Sequence, residues 1–468
     1  RENRLVEAFT STLEDNPLPG TLGRICHFHC QMRCRRESLD NPVHQGELHR
    51  YLADTLYKMG QEQDVYQDIL RRMYKPTHKK ISIVGSGPAG LSAAFYLSRL
   101  GHSVTIYEQE KEAGGVLRYG IPDYRLPKDI LAKELEIFGL LGVKFVFSTK
   151  LGTDISLDEL RNMSDGVILA LGSYHHANLE LPGSEGSGVV QGTDVLKNLA
   201  VKEPELVGKR VVIIGGGNVA IDVARSLWRL DKEVVIAYRR EVDEMPANRS
   251  EIEEAQAEGL AFRFNVAPTE IIRDAKQNVV ALRCEHLLCG EYDLSGRRKR
   301  KGKGCYEDLA CDTVVIAVGE RVDAKLLESE ALSVSSSGQL AVERHSYLTS
   351  KPNVWAIGDV ITGPSTAAEA MGHGKEVAKI IDRCLTGKER FSSLFSTFTY
   401  DKSVAKTLHE GKAIQSERLD LSQRKHSFAE VNKGYTGRQA RMEAGRCLRC
   451  DIHLEEVLNG QQPSARNN

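Results

Sequence analysis

Short apolar runs followed by glycines set the pattern of this chain. ISIV (81–84) precedes GSGPAG and a helix of small residues, and VTIYE (104–108) closes the unit as its second strand. This order of strand, glycine turn, helix and strand is the opening of a nucleotide-binding α/β unit. A second unit starts at KRVVIIGGGNVAIDVARSLWRL (209–230) and continues into the strand EVVIAYRR. The chain then returns to strand material resembling the first unit at NVWAIGDV (353–360), so one dinucleotide unit is inserted in another. The N-terminal part is polar with helical spacing, as in LHRYLADTLYKMG, where Gly60 is the expected C-cap. The expected fold is α/β, with two Rossmann-like domains and a helical N-terminal domain. Its boundaries are a helical cap over 1–76, an outer dinucleotide domain over 77–196 and 321–389, an inserted dinucleotide domain over 197–320, and a helical tail over 390–468.

Composition narrows the classes. A chain of 468 residues holds two or three domains. Its 63 basic and 64 acidic side chains leave a formal charge of -1, which gives no electrostatic case for nucleic acid or a membrane surface. No apolar run reaches the roughly 18–20 residues that span a bilayer, and no secretory leader is recognisable. Of the ten cysteines, three lie near one end and two near the other, with Cys284, Cys289, Cys305, Cys311 and Cys384 scattered between; the terminal groups read as metal or iron–sulfur ligands rather than a disulfide framework. A cytoplasmic, reducing compartment is expected.

In the first unit Gly85, Gly87 and Gly90 follow the strand as GxGxxG, and Glu108 closes the next strand. Gly85 is expected to make the tight turn, Gly87 to let the backbone meet a pyrophosphate, and Gly90 to let the helix pack close. Glu108 is the expected ribose acceptor, against the alternative of a nucleotide-free crossover. Asp359 in AIGD could face the ribityl–phosphate part of a flavin, and it tips the ligand from NAD toward FAD. Gly114 and Gly115 bring the backbone near the cofactor again. In the second unit Gly215, Gly217 and Ala220 form GxGxxA. The following strand ends in Arg239 and Arg240 where a carboxylate would otherwise stand, which suits the 2′-phosphate of NADP(H); ordinary surface arginines are the bland alternative. Hydride transfer between nicotinamide and flavin needs stacking more than acid–base help, so no proton-transfer residue is nominated. Neither unit holds a CxxC, which argues against a dithiol relay. The basic stretch GRRKRKGKG (296–304) reads as a solvated hairpin or a docking edge.

Electrons reaching FAD need an exit, and the terminal cysteines are the candidates: Cys26, Cys30 and Cys34 near one end, Cys447 and Cys450 near the other. Five thiols suffice for one four-cysteine cluster and fall short of two. Structural zinc is the alternative metal. The acceptor is then a partner electron carrier or subunit. A scaffold subunit with non-catalytic flavin and zinc is the competing class.

The order GRICHFHCQMRC, VGSGPAG, GGVLRYGIPDYRLPK, ALGS, GGGNVAIDVA, YRR…EMPA and AIGD resembles the small (beta) subunit family of NADPH-dependent glutamate synthase. It is also similar to the N-terminal half of dihydropyrimidine dehydrogenase and the large subunit of NADH-dependent ferredoxin:NADP oxidoreductase. The resemblance implies FAD at Gly85, Gly87, Gly90, Glu108, Gly115 and Asp359, and NADP(H) at Gly215, Gly217, Arg239 and Arg240. It also implies cluster ligation by Cys26, Cys30 and Cys34, with His49 at the position of an unusual ligand. The four-cysteine run that relatives carry upstream is missing before Cys26; RCLRC at 446–450 resembles its beginning. One [4Fe–4S] cluster is favoured, with room for a second. A module in a larger hetero-oligomeric assembly is expected, beside redox subunits carrying NAD(H), FMN or iron–sulfur centres; an electron-bifurcating transhydrogenase is one such assembly, and glutamate synthase is the alternative.

Overall fold

In a computed structural model that describes residues 2–176, 179–203, 206–292, 298–397 and 411–450, the polar N-terminal segment forms four helices. They are α1 (Leu5–Asp15), α2 (Pro19–Ile25), α3 (Gln45–Met59) and α4 (Glu62–Arg71), with the cysteine loop between α2 and α3. Helix α3 stops where its sequence predicts, on Gly60 in the left-handed conformation. The first α/β unit follows with β1 (Lys80–Val84), α5 (Pro88–Arg99), β2 (Ser103–Tyr107), α6 (Lys128–Leu140), β3 (Lys144–Val146) and β4 (Gly166–Leu169). The second contains β5 (Val189–Gln191), β6 (Arg210–Ile214), α7 (Asn218–Arg229), β7 (Glu233–Tyr238), α8 (Arg249–Ala257) and β8 (Ala261–Phe264). Three long strands come next, β9 (Val266–Arg273), β10 (Val279–Tyr292) and β11 (Arg298–Ala310), then β12 (Thr313–Ile316). The chain returns with β13 (Val354–Ala356) and α9 (Ala367–Thr386), and the described tail ends in α10 (Gly437–Gly445) and the RCLRC segment.

The outer sheet runs β13–β4–β1–β2–β3, all parallel. The inserted sheet runs β5–β12–β6–β7–β8, also parallel. Its edge strand β5 precedes residue 197, the start expected for the second unit. Strands β1 and β6 are central and buried along their apolar runs, which is why those runs are continuous rather than alternating. Helix α5 is buried along its whole length, between the outer sheet and α9. Gly374 of α9 permits that fit, since a Cβ there would lie 2.5 Å from Ala89 O. The basic stretch lies on the β10–β11 hairpin, matching the hairpin reading, although its first two residues fall outside the described set. Hairpin and β9 form a separate antiparallel sheet.

Charged contacts join the cap, the tail and the inserted unit. Glu430 of the tail pairs with Arg24 at 2.8 Å and Arg50 at 3.0 Å, both in the cap. Arg424 pairs with Glu254 and Glu258 of the inserted unit, where Glu258 also holds Arg225 and Arg229 of α7. Glu134 of α6 docks the cap on the outer unit by accepting from Gly20 N at 2.5 Å and Thr21 N at 3.0 Å, the open N–H groups of α2. Burial pushes this carboxyl up to about 7, against the opposing pull of those donors. The folded chain therefore keeps a proton that an unfolded glutamate, at 4.5, has already lost. Stability from this group is full below the lower value and falls as pH rises through the upper one. The wild-type chain is expected to lose about 3 kcal/mol across that window from this group. Glu134→Gln flattens the loss, which denaturant unfolding at pH 5 and pH 8 measures.

Candidate nucleotide and cluster sites

Both glycine turns are built alike. At the first, Gly85 has φ +102°, and a Cβ on it would lie 2.3 Å from Ala170 O. Gly90 brings α5 against the turn, where a Cβ would meet Gly85 O at 2.0 Å. At Gly87, by contrast, a Cβ would meet nothing within 4 Å. That residue is the N-cap of α5, and no side chain caps the helix, so its first N–H groups are left for an anion. The second turn repeats this design. Gly215 has φ +145° with Ala317 O 2.2 Å from a built Cβ, Gly217 faces open space, and α7 begins without a side-chain cap. Ala220 is fully buried in the first turn of α7. Each turn thus joins a crowded strand end to an open cradle, the shape a dinucleotide pyrophosphate fits.

Around the first cradle, Glu108 is buried and its Oε2 accepts from Ser86 N at 2.8 Å and Ser86 Oγ at 2.5 Å, while Oε1 accepts from Glu110 N at 2.9 Å. The predicted ribose acceptor is therefore also the anchor of the turn, with its remaining lone pairs left for a ligand. The GGVLRYG backbone crosses over the turn: Gly114 N donates to Ser86 O at 3.1 Å, and a Cβ on Gly115 would lie 2.9 Å from Gly87 Cα. Asp359 opens a one-turn helix, Asp359–Thr362, beside the start of α5, since a Cβ on Gly358 would lie 2.9 Å from Ala89 Cβ. Burial raises the Asp359 carboxyl, and Ser365 Oγ donates to it at 3.0 Å.

The structure adds residues that motif reading passed over. Tyr174, 41% exposed, has its hydroxyl 3.3 Å from a Cβ built on Gly115, so an aromatic edge stands over the first cradle. Glu320 lies near Asp359, and burial, with that neighbour adding, pushes its carboxyl up to about 7. Neither carried a signal beyond following a strand. Tyr124 and Arg125, inside the quoted GIPDYRLPK, fasten the outer unit to α7. Arg125 binds Asp222 at 2.6 Å, the Tyr124 hydroxyl donates to Asp222 O at 3.2 Å, and the Arg229 guanidinium stacks 3.9 Å from the Tyr124 ring. These contacts fix the two cradles relative to each other. The cysteine loop joins them, because His27 Nε2 lies 3.3 Å from Asn218 Nδ2 at the start of α7.

At the second cradle the Tyr238 ring lies against the turn, 2.4 Å from a Cβ built on Gly216. Arg239 follows it, exposed, and Arg240, half-buried, pairs with Glu244 at 3.3 Å.

The cysteine groups share a local geometry without sharing a site. Phe28 N donates to Cys26 Sγ at 3.3 Å, and Arg449 N donates to Cys447 Sγ at 3.5 Å. Both donors, two residues after their cysteine, have φ +50°. Such N–H···S bonds suit a thiolate that binds metal. Cys30 is exposed, Cys34 lines a shallow pocket with Met32 and Glu37, and Cys447 lines a different cavity of 490 Å³ with His49. Among the described residues no three His, Cys, Asp or Glu side chains converge as a metal site. Among the described residues the six expected ligands, Cys26, Cys30, Cys34, His49, Cys447 and Cys450, are not gathered round one point. Cys284 is buried in the core and Cys289 exposed on the hairpin, so those two do not form a pair.

Residues 79–374 match the model of the pyridine nucleotide-disulphide oxidoreductases, and residues 1–61 match that of dihydropyrimidine dehydrogenase domain II, a 4Fe-4S cluster domain. The NADP(+)-dependent formate dehydrogenase subunit beta of Moorella thermoacetica is 35% identical over 99% of this chain and 69% of its own. The NADPH-Fe(3+) oxidoreductase subunit beta of Geobacter sulfurreducens is 31% identical over 96% of this chain and 72% of its own. The small chain of Escherichia coli NADPH glutamate synthase is 31% identical over 81% and 83%. FprA of Mycobacterium tuberculosis, solved in complex with NADPH, shares the fold with TM-score 0.57 and 22% identity, over 69% of this chain and 87% of that one. No helix among the described residues is long and apolar enough to cross a membrane. The two open cradles, the cysteine-bearing cap and these matches agree: the chain belongs to the pyridine nucleotide-disulphide oxidoreductase family, as an FAD- and NADP(H)-dependent electron-transfer subunit with an N-terminal 4Fe–4S domain.

Proposed function

We propose that the chain moves electrons between NADP(H) and a partner redox subunit, with FAD on the outer sheet, NADP(H) on the inserted sheet and iron–sulfur ligation in the cap. The observation that carries this reading is the pair of matching uncapped helix starts, at Gly87 and Gly217, held in one body by Arg125, Tyr124 and Asp222. When bound, FAD exchanges a hydride with NADP(H) and single electrons with a cluster. Gly87 and the first turn of α5 hold the FAD pyrophosphate, Glu108 a ribose, and Gly115 and Asp359 the stretch toward the flavin ring. Gly217 and Ala220 do the same for the second nucleotide, and Arg239 and Arg240 take its 2′-phosphate. Cys26, Cys30 and Cys34 are the proposed cluster thiolates. His49, Cys447 and Cys450, on or beside the neighbouring cavity, are the proposed source of a further ligand.

Partners of this reading are redox subunits carrying NAD(H), FMN or iron–sulfur centres; the names of the relatives, each a subunit beta, favour a hetero-oligomer. A cytoplasmic setting belongs to this reading, since the terminal cysteine groups suit metal ligation rather than a disulfide framework. The test is coenzyme choice. Stopped-flow reduction of the bound flavin is expected to be far faster with NADPH than NADH. An Arg239→Ala/Arg240→Ala chain should need about 100-fold more NADPH, the loss of two charge-assisted hydrogen bonds, with NADH unchanged. Equal rates with both coenzymes in the wild type overturn the NADP(H) assignment.

A further inference from the structure

The basic hairpin has two faces. Strand β11 pairs with β10 in the register Cys289↔Arg300 and Leu288↔Lys301. With side chains alternating, Lys299, Lys301 and Lys303 are exposed, while Arg298 and Arg300 fall on the opposite face. That opposite face meets the turn after β7. Arg300 pairs with Glu244 Oε2, and its side chain is only 9% exposed. The other oxygen of the same carboxylate, Oε1, takes Arg240 at 3.3 Å. Glu244 therefore holds guanidiniums from two distant parts of the chain side by side. Its backbone is fixed in turn, since the Tyr238 hydroxyl donates to Glu244 O at 2.8 Å. Arg298 stands 4.0 Å from Glu241 in the same corner.

Two features of this corner suit an anionic ligand. The Nε of Arg300 is buried without a hydrogen-bond acceptor, a costly state for a guanidinium donor. Arg240 and Arg300 share the single carboxylate of Glu244, with the exposed Arg239 next in the chain, an excess of positive charge that a dianionic phosphate would offset. Tyr238 places the corner: its ring lies on the second glycine turn, and burial raises its phenol against the opposing pull of Arg240, Arg239 and Arg300.

We propose that Arg300 is a specificity-determining residue for NADP(H), binding the 2′-phosphate beside Arg239 and Arg240, with Glu244 as the carboxylate that positions Arg240 and Arg300. This rests on reading the second cradle as the NADP(H) site. The hairpin is then part of the coenzyme site on one face, while Lys299, Lys301 and Lys303 keep the other solvated.

The test measures dissociation constants of adenosine 2′,5′-bisphosphate and of AMP on the full-length chain, by calorimetry. Arg300→Gln is expected to weaken the bisphosphate about tenfold and leave AMP unchanged, the worth of roughly one charge-assisted hydrogen bond. Arg300→Lys should recover part of the loss, and Glu244→Gln, which keeps the shape but frees both arginines, should weaken the bisphosphate in the same direction. If Arg239→Ala/Arg240→Ala abolishes the preference while Arg300→Gln keeps it, the proposal is overturned and the NADP(H) reading stands. If the wild-type chain does not prefer the bisphosphate to AMP, the NADP(H) reading fails, and the proposal with it.

Discussion

A Gly87→Val chain is expected to fold and to purify without flavin. Gly87 has φ -69° and ψ -178°, which valine adopts readily, and its Cβ would meet no atom of the protein within 4 Å. The added methyls would instead occupy the place where a pyrophosphate must approach the N–H groups of α5. The melting curve of the flavin-free chain should therefore move by under about 1 kcal/mol, in keeping with a substitution that fills open space. Flavin content, read from the visible spectrum, should fall to near zero. Gly85→Val is the contrasting variant. There the positive φ and the 2.3 Å approach to Ala170 O make any side chain incompatible with the turn. It should lose flavin and stability together, by about 3 kcal/mol or more. If Gly87→Val retains flavin, the first cradle is not the FAD site.

The second large effect separates the two nucleotides. Gly217→Val sits in the matching open position of the inserted sheet, with φ -86° and no neighbour within 4 Å of its Cβ. This chain should keep its full flavin complement, because the outer cradle is untouched. Its reduction by NADPH should slow by 100-fold or more in kcat/KM, about 3 kcal/mol of lost coenzyme binding. Stopped-flow traces of flavin bleaching at several NADPH concentrations provide the measurement. A normal rate would place the coenzyme elsewhere.

The parts that could be read from sequence are those whose cause is local. A buried parallel strand must be apolar throughout, and a glycine must stand where the backbone turns at φ +102° or +145°. So β1, β6 and their turns could be found from ISIV and VVII alone. What escaped depends on pairing between distant segments. Arg300 reads as one cation in a solvated run until the register Cys289↔Arg300 brings it to Glu244. Glu134 reads as an ordinary helix carboxylate, yet it caps α2 from more than a hundred residues away. Glu430 and Arg424 look like surface charges of a polar tail, but they pair with buried arginines and glutamates of the cap and the inserted unit. The cysteine groups show the reverse case. Their spacing and their N–H···S bonds suit thiolate ligation, while among the described residues they do not converge on one point, which side-chain spacing alone does not reveal.

The central proposal is that one chain exchanges electrons between NADP(H), a flavin and an iron–sulfur centre in the cap. Anaerobic titration of the purified, reconstituted chain with NADPH, followed by visible absorption and electron paramagnetic resonance, tests it most directly. The account predicts that NADPH bleaches the flavin band and then gives rise to the signal of a reduced [4Fe–4S] cluster, which Cys26→Ala abolishes while flavin bleaching persists. A flavin that bleaches in a chain holding iron and sulfide, with no reduced-cluster signal at any NADPH concentration, would contradict it.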